Sequence, residues 1–285
     1  MRIDAHQHFW QYTRQEYPWI GPGMEVLAKD RLPSDLLPLI EANGFDGTVA
    51  VQARQCLEET SALLKMADEA PFIEGVVGWV DLRSGKVEEQ LERFSDNPLL
   101  VGVRHVVQDE TDDNFVLGPE FLNGIGSLAR YNLAYDILVF PHQLSASIEM
   151  VSRFPEQVFV LDHMGKPLIK EGKLSPWESD IHKLASFENV SCKISGMVTE
   201  ADWQAWEPTD FDAYMEVVLE AFGPRRLMLG SDWPVCTLAG QYGSVMDISV
   251  NFIRQLSEDE QADILENNPV RIYRLTPDPD EHGTG

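Results

Sequence analysis

The sequence predicts an α/β fold closed into a single-domain (β/α)8 barrel, and three observations carry that reading. Short apolar, β-branched runs alternate with segments of helical spacing eight times along the 285 residues. The apolar runs are mostly continuous rather than alternating, which marks strands buried on both faces, as in a parallel sheet. Connections from helix to strand are short, whereas those from strand to helix are long, as at 9–32, 165–175, 197–209 and 233–243. Long loops gathered after the strands point to the C-terminal face, where barrels build their sites.

In chain order, strands are expected at 2–8, 47–53, 73–82, 99–107, 133–140, 158–163, 190–196 and 226–232. Helices are expected at 33–42, 58–69, 86–94, 120–130, 144–154, 176–187, 210–222 and 244–255. A last helix over 258–267 is expected to stop at Pro269. Asn43-Gly44, Asn97-Pro98, Tyr131-Asn132, Glu188-Asn189 and Gly223-Pro224 are turn signals between helix and strand. An open doubly wound sheet is the alternative, but it usually carries a glycine-rich first turn where this chain has histidines. The eight units fill 1–275 as one TIM-like barrel with long βα loops at its C-terminal face. The tail 276–285 (TPDPDEHGTG) lacks apolar residues and is expected to be disordered, with His282 outside the chemistry.

Composition excludes several partners. Asp and Glu outnumber Lys and Arg by 47 to 22, a formal charge of −25. Nucleic acid would need a basic stripe, and an anionic membrane is disfavoured by the same charge. The opening MRIDAHQHFW places acid and histidine where a signal peptide is apolar. Cys56, Cys192 and Cys236 are far apart and form no CxxC, as expected of reduced thiols in a cytoplasmic protein. Oligomeric state is left open, a homo-oligomer included.

The chemistry-bearing residues gather at strand ends. In Asp4-Ala5-His6-Gln7-His8 the two histidines share a face about 7 Å apart along a strand, so both can reach one metal ion or one polarised oxygen. Asp4 is expected on the same face one step deeper, orienting an imidazole through its second nitrogen. His105, His142 and His163 also fall at or just past strand ends, with Arg104, Asp162, Lys193, Ser195 and Asp232. Aromatic residues of the long loops, Trp10, Tyr12, Tyr17, Trp19, Trp177, Trp203, Trp206 and Trp233, either line a pocket suited to sugar rings or pack the loops onto the barrel. Gln7, Gln52 and Trp79 are further strand-borne candidates for binding substrate, as are Trp10, Arg104, His142 and Trp233.

Five motifs, DAHQH, GVRH, DHMGKP, KISG and GSDWPV, occur in this order across nearly the whole chain. In them the sequence resembles the amidohydrolase superfamily, in its amidohydrolase 2 branch, and is most similar there to sugar lactonases acting on L-fuconolactone or L-rhamnonolactone. The resemblance implies that His6 and His8, with His163 and Asp232, hold one divalent cation, zinc by analogy, or act on the carbonyl without one. Many superfamily members place a metal-bridging lysine or glutamate on strand 4, where this chain has Arg104-His105, so a binuclear centre is not expected. By the same resemblance Asp232 is the general base on water, while His163 and His105 hold the carbonyl or protonate the leaving oxygen. Arg104 offers a planar fork to hydroxyl or carboxylate groups. The substrate implied is a small neutral sugar lactone. The alternatives are decarboxylation of an aromatic acid, hydrolysis of another cyclic ester or amide, and a non-catalytic ligand-binding barrel.

Overall fold

Eight strands form one parallel sheet in chain order: β1 (Ile3–Gln7), β2 (Gly47–Val51), β3 (Ile73–Gly78), β4 (Leu100–Val106), β5 (Ala134–Leu138), β6 (Phe159–Leu161), β7 (Val190–Ile194) and β8 (Leu227–Leu229). The structure, a computed structural model, describes residues 1–275, so the tail expected at 276–285, with His282, lies outside the described residues. The sheet closes just past β8, where Gln7 bridges Trp233 in parallel. There Asp232 N donates to His6 O at 2.8 Å and His8 N to Trp233 O at 2.7 Å. The outcome is the (β/α)8 barrel that the alternating pattern implies.

Helices α1 (Pro33–Ala42), α2 (Leu57–Glu69), α3 (Val87–Glu92), α4 (Pro119–Leu128), α5 (Leu144–Ser152), α6 (Trp177–Ala185), α7 (Asp212–Phe222) and α8 (Tyr242–Ile253) follow the strands in turn. Their apolar faces, such as Leu36 and Ile40 of α1 and Ile181 and Leu184 of α6, pack on the outward side chains of the strands. Gly124 lets α4 approach closely: a Cβ there would meet Leu82 O at 2.2 Å. The barrel interior is filled lower down by Val49, Val51, Val77, Val101, Ala134, Val160 and Met228. The aliphatic floor is thus packed and the polar layer is confined to the C-terminal mouth.

Two expectations about elements are corrected. The final helix does not stop at Pro269. It runs through α9 (Glu258–Ala262), a π-helical turn (Asp263–Asn267) and α10 (Asn268–Tyr273). Proline is tolerated in the first turn of a new helix because its missing N–H has no partner to lose there. Ile272, Tyr273 and Leu275 then close the bottom of the barrel. Strands β6 and β8 also end earlier than expected, at Leu161 and Leu229. Among the described residues, no helix is long and apolar enough to cross a membrane. Cys56, Cys192 and Cys236 are free thiols.

Candidate active site

The residues past β6 and β8 leave the strands because their backbones turn left-handed. His163, Met164, Gly165 and Lys166 all have positive φ, and so has Asp232 (φ 57). Non-glycine residues rarely adopt this conformation, and where they do it is commonly at functional sites. The turn directs the His163 ring against Gly196, where a Cβ would meet His163 Nδ1 at 2.5 Å. Gly196 itself has φ +62, so both space and backbone require glycine.

Strand β1 contributes His6 and His8 from one side. Its register slips between Asp4 and Gln7, a bulge in the pairing with β2. The bulge breaks the regular alternation, so Asp4 does not share the face of the histidines as the sequence suggests. Asp4 instead accepts from Ser231 N at 2.9 Å, His6 N at 3.2 Å and the Tyr242 hydroxyl at 3.1 Å, tying β1 to the end of β8 and to α8. Burial raises its carboxyl to about 6.

The imidazoles are oriented by other groups. His6 Nδ1 lies 3.2 Å from Asp162 Oδ1. Burial pushes Asp162 up, but Lys193, His6 and Arg104 overcome this and hold it well below the usual carboxylate range. An ionised carboxylate only accepts, so His6 carries its proton on Nδ1 and Nε2 is bare. His8 Nδ1 is 2.7 Å from Val51 O, which likewise fixes the proton there and frees Nε2. The two bare nitrogens face each other at 3.3 Å, with Asp232 Oδ1 at 3.2 Å from His8 Nε2 and 3.8 Å from His6 Nε2. Burial keeps His6 well below its ordinary pKa, so no proton relieves the cluster from that side.

Three acceptors converging without a donor among them suit a cation. Their separations bracket the roughly 3.3 Å expected between ligands of a tetrahedral ion with bonds near 2.0–2.1 Å. The residues present therefore fit a divalent metal, with His6, His8 and Asp232 as the donor set. His163 Nε2 lies 4.0 Å from Asp232 Oδ1, while its Nδ1 is 2.9 Å from Ser195 Oγ. Burial lowers His163 to about 4, leaving a neutral imidazole at pH 7. Burial pushes Asp232 up, but the surrounding imidazoles, His163 first, hold it well below the usual range. Arg104 Nη1 bonds Asp162 Oδ2 at 2.9 Å and reaches within 3.3 Å of His6 Nε2.

These groups form the floor of an open cavity of about 520 Å³, into which His8, Arg104, His163 and Asp232 project. Glu16, Trp19, Arg54, Gln55, Gln108, Asp109 and Lys166 form its walls. Apart from Trp19, the sequence did not mark these wall residues as binding residues, although the polar run Gln52-Ala53-Arg54-Gln55 at a strand end was a readable signal. Asp162 and Lys193 stood out only as polar strand residues; their partnership spans distant parts of the chain.

Several expected site residues lie elsewhere. His105 follows Arg104 on β4 and so points outward, bonded to Glu110 Oε1 at 2.7 Å and stacked on Phe115. His142 is 56% exposed and lies 3.4 Å from Asp113, away from the cavity lining. Gln7 is buried and is not part of the cavity lining, and neither polar atom of its amide has a partner among the described residues. Gln52 serves Arg104, accepting at 3.0 Å through its own amide oxygen. Trp10 is buried in a loop cluster with its indole N–H on Lys29 O, and Trp233 packs on Phe9 beneath Arg31. Trp79 is half-buried at the end of β3 and is not part of the lining.

A family model for amidohydrolases matches residues 3–275. The chain belongs to the amidohydrolase family. L-fucono-1,5-lactonase of Burkholderia multivorans is 40% identical over 290 residues, which cover 98% of this chain and 97% of that relative. A second L-fucono-1,5-lactonase, from Burkholderia ambifaria, is 36% identical over 290 residues, covering 99% of this chain and 98% of the relative. A crystal structure of an amidohydrolase from Burkholderia multivorans with bound zinc matches with a TM-score of 0.94 at 40% identity, covering 97% of this chain and 100% of that one. This amidohydrolase is accordingly a hydrolytic enzyme whose polar centre lies at the mouth of its barrel.

Proposed function

We propose that the protein is a lactonase that opens a small neutral sugar lactone of the L-fuconolactone type, with Asp232 as general base. The observation that supports this most directly is the convergence of Asp232 Oδ1 on His8, His6 and His163 at 3.2, 3.8 and 4.0 Å on the cavity floor. The names of the relatives at 40% and 36% identity supply the substrate class.

One divalent ion, zinc by analogy with the zinc-bound relative, would be held by His6, His8 and Asp232 and would polarise the lactone carbonyl. Asp232, ionised at neutral pH, takes a proton from water as the water oxygen attacks the carbonyl carbon. Arg104, whose N–H groups are held by Gln52, Asp162 and His6, sets its positive charge at the cavity floor beside the oxyanion that develops. When the carbon–oxygen bond of the ring breaks, the leaving oxygen needs a proton. His163 is placed to pass one on from Asp232, being neutral and 4.0 Å away. The ring opens to a hydroxy acid, which loses a proton to water at neutral pH.

A panel of aldonolactones followed with a pH indicator tests this reading. Acid release from L-fuconolactone or a close stereoisomer, at least tenfold faster than from unrelated lactones, is expected. Silence across the panel would overturn it.

A further inference from the structure

Below the imidazoles lies a layer of charge centred on Lys193, a residue to which the hydrolytic steps give no role. Lys193 of β7 is fully buried, and its ammonium is 2.6 Å from Asp136 Oδ2, 3.0 Å from Asp162 Oδ1 and 3.3 Å from His6 Nδ1. Tyr273 of α10 reaches up through the aliphatic floor and donates to Asp136, with Oδ1 at 2.9 Å and Oδ2 at 2.7 Å. The Lys193 ammonium also lies 5.1 Å above the Tyr273 ring. With Arg104 on Asp162, the layer holds two cations against two carboxylates.

Ion networks this deeply buried are weak evidence of stability, because well-packed apolar side chains often serve a core as well or better. The layer just beneath is in fact aliphatic. What the network does is geometric. An ammonium has three donors and no lone pair, so it pins the Asp162 oxygen that receives the His6 Nδ1 proton. That bond keeps His6 Nε2 bare and aimed at Asp232.

We infer that Lys193 is a positioning residue for His6, acting through Asp162, and that Asp136 and Tyr273 form the seat that holds it. The inference rests on the reading of the imidazole cluster as the reaction centre, but its test does not depend on lactone turnover. Groups that orient a metal-ligating histidine typically matter by 10- to 100-fold in metal affinity.

Lys193→Met alone leaves two buried carboxylates facing each other without their shared cation, which works against folding; the double variant Lys193→Met, Asp136→Asn removes one charge of each sign. Zinc affinity is measured on the full chain by competition with a chromophoric chelator, and ring ¹⁵N shifts of His6 are recorded on metal-free protein. The double variant is expected to bind zinc about 10-fold or more weakly and to show His6 as a mixture of tautomers. Tyr273→Phe should shift both readouts in the same direction by a smaller factor, about 3-fold in affinity. A folded double variant with zinc affinity within about twofold of wild type and unchanged His6 shifts would overturn the inference, even with a lowered Tm. If wild-type protein opens no lactone, the proposed function falls, while zinc affinity and tautomer still decide the role of Lys193.

Discussion

At the scale of residues, environment decides which polar groups can react. His105 near the end of β4 and His163 in the turn just past β6 are both buried, yet only His163 reaches the cavity. His105→Ala should therefore leave kcat within about threefold while costing about 1–3 kcal/mol of stability from lost stacking on Phe115, read by lactone assay and urea melts. Glu59 gives a pH prediction. It accepts from Tyr17 OH, Ala53 N and Arg54 N, fixing the cavity wall, and burial raises its carboxyl from 4.5 to about 7. A raised carboxyl binds its proton more tightly when folded, so its contribution is full below about pH 4.5 and is lost as pH rises through 7. The stability of wild type relative to Glu59→Gln should thus fall by up to about 3 kcal/mol between those values and level off above. A flat difference across that window would refute the assignment. The Arg104–His105 case also shows what the sequence already held. Strand alternation separates the two residues, and taking the motif as a pair obscured it.

At the scale of elements, irregular backbone builds the site. The histidine spacing in DAHQH was legible, but the bulge that reassigns Asp4 is a property of pairing with β2 and leaves no local mark. The left-handed turn at 163–166 was equally hidden, because three of its four residues are not glycine. Gly196 is where that turn meets β7. Gly196→Ala should destabilise the fold by about 1–3 kcal/mol and lower kcat at least tenfold by displacing His163, as read by thermal melts and steady-state kinetics. Wild-type kinetics from this variant would mean that the His163 position is not set by the close contact. The Asp136–Lys193–Asp162 layer was unreadable for another reason: its members lie on β5, β7 and the turn after β6, and only barrel closure brings them together. Pro269 misled in the opposite direction, since the same residue that ends one helix can open the next.

At the scale of the whole molecule, the alternation of eight strands and helices was enough to give the barrel, because buried parallel strands and their crossovers have few other closed arrangements. Loop packing is not legible in the same way: Trp10 and Trp233 read as pocket residues in the sequence, yet both are buried and pack the loops around the pocket. The net charge of −25 acts on the reaction through its product. A neutral lactone enters the field without penalty, whereas an aldonate is repelled. Salt should therefore strengthen product inhibition severalfold between about 20 and 300 mM while leaving KM for the lactone within about twofold; equal salt dependence of both would contradict this. The central claim is that Asp232, held by three imidazoles, activates the water. It is tested most directly by the rate of acid release from L-fuconolactone by Asp232→Asn, at zinc occupancy matched to wild type. The account predicts a loss in kcat of about 10²–10⁴-fold with an unchanged melting profile; turnover within about tenfold of wild type would contradict it.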